Sequence, residues 1–218
     1  MKLRFLAYIG TLAFLLSGLS VVHMFDFSYE SQHPTLNEES ISPDVHLQNA
    51  IHYTKKDADY TRSLYHIDQA IQSIKYLETD IDNNTNEIVD EAVQKLIYIY
   101  EQLNKDTLKT KDMNHAFEFA LTSLTLAELR ISERYAESNN MKLSRVALKY
   151  AQLHLKHALG YTVEEDARNY EKHLQQEIDS LLANYDEAPV LITERIDLLI
   201  NEIDSLLNLE RSTISNLN

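Results

Sequence analysis

Residues Asn84–Leu103 read NTNEIVDEAVQKLIYIYEQL. Ile88, Val89, Ala92, Val93, Leu96, Ile97, Tyr100 and Leu103 recur there at steps of one, three and four, the spacing of one broad helix face. So wide a face predicts a helix near the centre of its domain. Asn84 and Glu87 have the spacing of a capping arrangement at its start. Similar spacing runs outward on both sides. Leu64, Ile67, Ile71 and Ile74 precede it, while Phe117, Ala120, Leu121, Leu124, Ala127 and Ile131 follow from a start at Asp112. Asn139-Asn140 breaks that run, and Leu143–Leu159 resumes it. Gly160 is placed to stop the resumed helix in the left-handed conformation. Thr162 and Glu165 then match a capping box ahead of Leu174, Ile178, Leu181 and Leu182. Pro189 restarts the chain, and Ile192, Ile196, Leu199, Ile203 and Leu206 trace a narrow heptad-like seam over 190–209.

At the other end, Ser42-Pro43-Asp44 opens the folded part, with Ser suited to cap and Pro to the first helical position. That helix runs to about Lys56, and Asp57–Asp59 reads as a turn. Three Gly and three Pro in 218 residues are too few to punctuate a many-stranded sandwich. The sequence therefore predicts an all-α bundle of about six helices over 43–210, with 211–218 as a C-terminal tail. The halves also resemble each other at an offset of 81 residues. Ser63, Ile67, Ala70, Ile74 and Lys75 fall on Ser144, Leu148, Ala151, Leu155 and Lys156, as a duplicated helix-hairpin-helix unit requires. Apolar periodicity alone generates part of such a match.

Lys2 and Arg4 precede residues 5–25, which contain no Asp, Glu, Lys or Arg. This is the pattern of a signal peptide, with Gly18-Leu19-Ser20 offering a cleavage point after Ser20. The same stretch just reaches the roughly 20 residues that span a bilayer. Residues 1–25 are accordingly read as a signal peptide or an N-terminal membrane anchor, leaving the body outside the cytoplasm in a bacterial envelope. Residues 26–42, polar and without apolar period, read as a flexible tether.

A formal charge of −14 repels phosphate backbones, and no basic patch offsets it, so nucleic acid is excluded as a partner. The absence of cysteine excludes disulfides, thiolate chemistry and a lipid-modified cysteine.

Leu126-Ala127-Glu128 through Arg145-Val146-Ala147-Leu148-Lys149-Tyr150-Ala151, and above all Ala147–Gln152, resemble the YfdX-type family of bacterial periplasmic helical proteins. The resemblance covers about 60 residues in patches around 47–78 and 121–159. It implies an exported, stress-associated helical protein and carries over no catalytic residue.

Nine histidines invite a metal reading. His154 and His157 share a helix face at i, i+3, but His173 or a Glu within 164–171 would have to complete the site. Neither a paired Glu-x-x-His nor His-Glu-x-x-His occurs, so hydrogen-bonded or solvent-facing histidines fit better. Thirteen tyrosines gather as Tyr53, Tyr60, Tyr65 and Tyr76 in one unit and Tyr135, Tyr150, Tyr161 and Tyr170 in the other. Packing rings are the commoner use of such residues, a ligand-lining wall the rarer. No nucleophile sits on a strained or glycine-rich turn. No catalytic, cofactor-binding or metal residue is assigned, and no cofactor. An enzyme would need two carboxylates or a histidine pair brought into one closed pocket. The expectation is a non-enzymatic interaction or stress-associated module, with a ligand- or metal-binding sensor-like domain as the alternative. Membrane contact would run through residues 5–25. A protein partner or second copy would meet the C-terminal helix, unless that seam docks on the chain's own bundle.

Overall fold

The computed structural model describes residues 38–77, 81–185 and 188–215. The leader 1–25 and the tether up to residue 37 lie outside them. Seven α-helices, rather than about six, make up the described part, and it contains no strand. They are α1 (Ser42–His52), α2 (Tyr60–Leu77), α3 (Asn83–Asn104), α4 (Thr110–Glu137), α5 (Met141–Ala158), α6 (Glu165–Ala183) and α7 (Pro189–Ser215). No described helix is long and apolar enough to cross a membrane.

The central helix is α4, not α3. Every residue from Ala116 to Leu129 is buried, whereas α3 keeps Asp90, Gln94, Tyr98 and Glu101 exposed. Helix α4 packs on α3, α5 and α7 together. Ten of the fourteen buried positions of that run are apolar or small, but Glu118, Thr122, Thr125 and Glu128 lie among them. They blur the stripe, so the periodicity understates how enclosed this helix is. Thr125 and Ser123 satisfy their hydroxyls on carbonyls one turn back, Leu121 O at 2.9 Å and Phe119 O at 2.7 Å.

Several helix ends are built differently from the sequence expectation. Ser42 lies inside α1 and its hydroxyl meets Ser73 at 3.1 Å instead of capping. A 3-10 turn over Glu38–Ile41 precedes it with Ser40 buried, so ordered structure reaches into the stretch read as tether. At α3 the cap is Asp82, which accepts from Thr85 N, rather than Asn84. Gly160 does not adopt a positive φ. Its use is closeness: a Cβ there would stand 3.1 Å from the His157 carbonyl, within the turn that Gly160 N closes on the same oxygen. Thr162 does not cap α6, because its hydroxyl is engaged with Ala158 O and Glu171. Asn139, at φ 59°, and Asn140, accepting from Leu143 N, do make the predicted break between α4 and α5. Between α1 and α2 the chain forms a π turn, Tyr53–Asp57, that ends on left-handed Ala58.

Helix α7 extends to Ser215, beyond the start of the expected tail. Its seam is internal: Ile192, Ile196, Leu199, Ile203 and Leu206 are buried in the main core, joined by Ile200 and Leu207. Of the two tyrosine groups, Tyr135, Tyr150 and Tyr161 are packed inside, whereas Tyr60, Tyr65 and Tyr76 are exposed.

Candidate functional site

Three polar clusters and one surface line stand out. The first cluster is centred on Asp44, in the opening turn of α1, with both its side chain and that of His154 fully buried. One carboxylate oxygen lies 2.7 Å from His154 Nδ1, and the other lies 2.7 Å from His157 Nδ1. The i, i+3 spacing on α5 turns both imidazoles toward one acceptor, as the sequence suggested, but the acceptor is a residue 110 positions away. Each Nδ1–H donates to the carboxylate, which aims each Nε2 away from it. Burial alone would push the Asp44 carboxyl up. The charge of His154 and the hydrogen bonds from both histidines outweigh it and hold the group below its ordinary value of 3.8. Glu128, from α4, stands near and is also buried. Burial first, then the Asp44 charge, raise its pKa well above the ordinary 4.5, a hydrogen bond from Ser40 offsetting part. Tyr161 is pushed up by burial and again by Asp44.

The second cluster joins α4 to α6. Glu118 and Glu171 are buried, and Thr162 donates its hydroxyl to Glu171. Arg168 donates to the Thr162 carbonyl, and His115 Nδ1 lies 3.6 Å from Glu118. Burial, and then the charge of Glu171, push Glu118 up to about 8. Burial likewise pushes Glu171 up to about 7, against the Thr162 bond and the Arg168 charge. Nothing in the sequence pattern pairs residues 53 positions apart.

The third cluster lies on the α1–α2 hairpin. His46 Nδ1 and His66 Nδ1 are 3.0 Å apart with ring centroids at 5.3 Å. An imidazole nitrogen sits a little over 1 Å from its ring centre, so the two nitrogens point nearly head-on. That is the geometry of one N–H donating to one lone pair, not of two lone pairs converging on an ion. Tyr53 stacks on His66 with rings 6° from parallel, and Arg62 lies over the other ring, Tyr53.

Among the described residues no three His, Cys, Asp or Glu side chains are grouped to hold a metal ion. His173 does not join His154 and His157. A polar cleft of about 300 Å³ lies elsewhere, lined by Thr54, Lys55, Tyr60, Asp106 and Leu108 among others, and it contains neither the carboxylate pair nor the His154–His157 pair.

The surface line is on α7. Leu191, Leu198 and Leu209 are exposed at 49%, 62% and 63%, on a face apart from the buried seam. Steps of seven and eleven residues are close to two and three whole turns, so the three leucines stay within about 20° of one line over roughly 27 Å. Between them, Asn201 and Ser205 turn their side chains onto the helix's own carbonyls, Asp197 O and Asn201 O. No family model, curated protein or solved structure matches the chain.

Proposed function

We propose that this protein is a non-enzymatic helical module of the bacterial envelope, engaging a protein partner or a second copy through the outer face of α7. The observation that carries this reading is the exposed leucine line, since the seam first suited to a partner is used inside the bundle. Apolar side chains repeated along one helix line are the usual anchors of helix-mediated recognition. Leader residues 5–25 would keep the module at or beyond the membrane, as would follow from the YfdX-type resemblance.

The two halves, on this reading, are copies of one unit. An 81-residue shift carries Tyr60–Leu77 onto Met141–Ala158 end to end, and Asn83–Asn104 nearly onto Glu165–Ala183. Ser63 and Ser144 correspond, both buried in the first turn of the second helix. Ser63 donates to Ala50 O at 2.9 Å, while Ser132 donates to Ser144 O at 2.9 Å, so each pair ties its hairpin together.

Two measurements test the proposal. The Leu198→Asp, Leu209→Asp double variant should keep the wild-type melting temperature within about 2 °C, since exposed substitutions usually stay within about 0.5 kcal/mol. It should also lose any self-association seen by sedimentation and any partner captured by cross-linking in the envelope fraction. Retained association would reject the α7 face. A reporter fused after residue 42 should be active only outside the cytoplasm, and cytoplasmic activity would reject the placement. A ligand-binding reading is favoured by one observation, the cleft at Lys55 and Asp106, whose opposite charges suit a dipolar small molecule.

A further inference from the structure

We propose that Asp44, His154 and His157 form a proton-operated latch that holds the N-terminal helix on α5 and opens locally in acid, before the bundle as a whole unfolds.

One carboxylate ties α1 to α5. Helix α1 has only 11 residues and packs chiefly on α2. Its apolar anchors are Leu47 and Ala50, with Pro43 buried beside Asp44. The π turn that follows has no buried residue and ends on left-handed Ala58; Thr54 on Ser63 at 2.6 Å and Tyr53 stacked on His66 hold that far end to α2, and Lys55 reaches Asn114 on α4. Across to α5, both oxygens of Asp44 are taken by His154 and His157 at 2.7 Å.

Protonating Asp44 changes the whole balance. A carboxylic acid keeps one good acceptor oxygen and gains a donor, so one of the two Nδ1–H groups loses its partner in a buried setting. The other polar groups facing the site are Glu128 from α4, Tyr161 from the loop after α5 and Ser40 from the 3-10 turn, and none of them supplies a carboxylate held ionised in acid. Glu128 has its pKa raised, so it is neutral in acid. His157, 25% exposed where His154 and Asp44 are sealed, gives solvent protons their way in. Because the Asp44 pKa is lowered on folding, its contribution is present above 3.8 and is lost as pH falls through the folded value. Opening therefore belongs below about pH 4.

Hydrogen exchange read by mass spectrometry on the full chain tests this directly. After correction for intrinsic rates, amides of residues 43–52 should exchange roughly four- to sevenfold faster at pH 3 than at pH 6, while α4 and α5 remain protected. Asp44→Asn, a permanent mimic of the protonated acid, should show the fast α1 exchange already at pH 6 with little further pH dependence. Exchange of α1 that tracks α4 and α5 at every pH, or α1 protection unchanged by Asp44→Asn, would overturn the latch. Should that variant fail to fold, imidazole nitrogen shifts in the wild-type protein decide. Both histidines must carry a proton on Nδ1 at pH 6, where each faces an oxygen of Asp44. An Nε2–H tautomer in either one at pH 6 would overturn it.

Discussion

A chain carrying Leu199→Asp and Ile203→Asp is expected to show no cooperative thermal transition. Ile203 is fully buried and Leu199 nearly so, in the seam that packs α7 into the core beside α4. Losing the burial of the two side chains removes roughly 1.5–3 kcal/mol each. Placing carboxylates there adds several kcal/mol more, because no Lys or Arg is buried among the described residues to meet them. The sum reaches the whole 5–15 kcal/mol that holds a typical domain folded. Circular dichroism would show a sloping signal instead of a sigmoid, and urea titration no midpoint. A melt within a few degrees of wild type would mean that the seam is not part of the core. Leu198, one residue before Leu199, is the internal control: the same substitution there faces solvent and should be tolerated.

The second large effect depends on pH and has the opposite sign. Glu118→Gln should stabilise the protein at pH 9 and leave it nearly unchanged at pH 4. The glutamate's pKa rises from the ordinary 4.5 to about 8 on folding, through burial and then the facing Glu171. The native state thus binds this proton more tightly than the unfolded one. The favourable contribution is complete below 4.5 and is lost as pH rises through about 8, where a buried charge must be carried. A neutral amide removes that load. The gain should be about 2–4 kcal/mol at pH 9, reduced from the full shift by partial solvation, or about 5–10 °C in melting temperature. Melts of wild type and variant at pH 4, 6 and 9 give the comparison. An equal change at all three would show that Glu118 does not titrate in this range. Asp44 acts on the acid side, so stability should be greatest at mildly acidic pH, between the loss of one group's contribution and the loss of the other's.

The helices were legible because their apolar positions repeat at three and four over long stretches with few interruptions. Their ranking was not. Helix α3 has the cleaner stripe because half of it faces water, whereas α4 mixes Glu118, Thr122 and Glu128 among its apolar residues and is nevertheless enclosed all round. A polar residue buried by tertiary contacts looks, in sequence, like one on a solvated face. Caps were misplaced for a related reason. Thr162 has the spacing of a capping residue, but a buried glutamate competes for its hydroxyl. At the candidate site, the alignment of His154 and His157 on one face could be read from their spacing. Asp44 was visible only as a helix-opening residue, since no local pattern records a partner on another helix. The outer leucines of α7 are isolated apolar residues in the sequence, beside a stronger seam on the same helix.

Enclosure of α4 on all sides also bears on how the chain acquires its fold. The helix that covers one of its flanks, α7, begins at Pro189, 52 residues after α4 ends at Glu137. During synthesis α3, α4 and α5 are therefore present while that flank is still bare. Long-range closure of this kind slows a helical protein and leaves a sticky intermediate. Holding the nascent chain extended until residues 192–207 have emerged, by a chaperone or by delayed release, would spare it that exposure, and α7 would then act as the closing piece of the assembly.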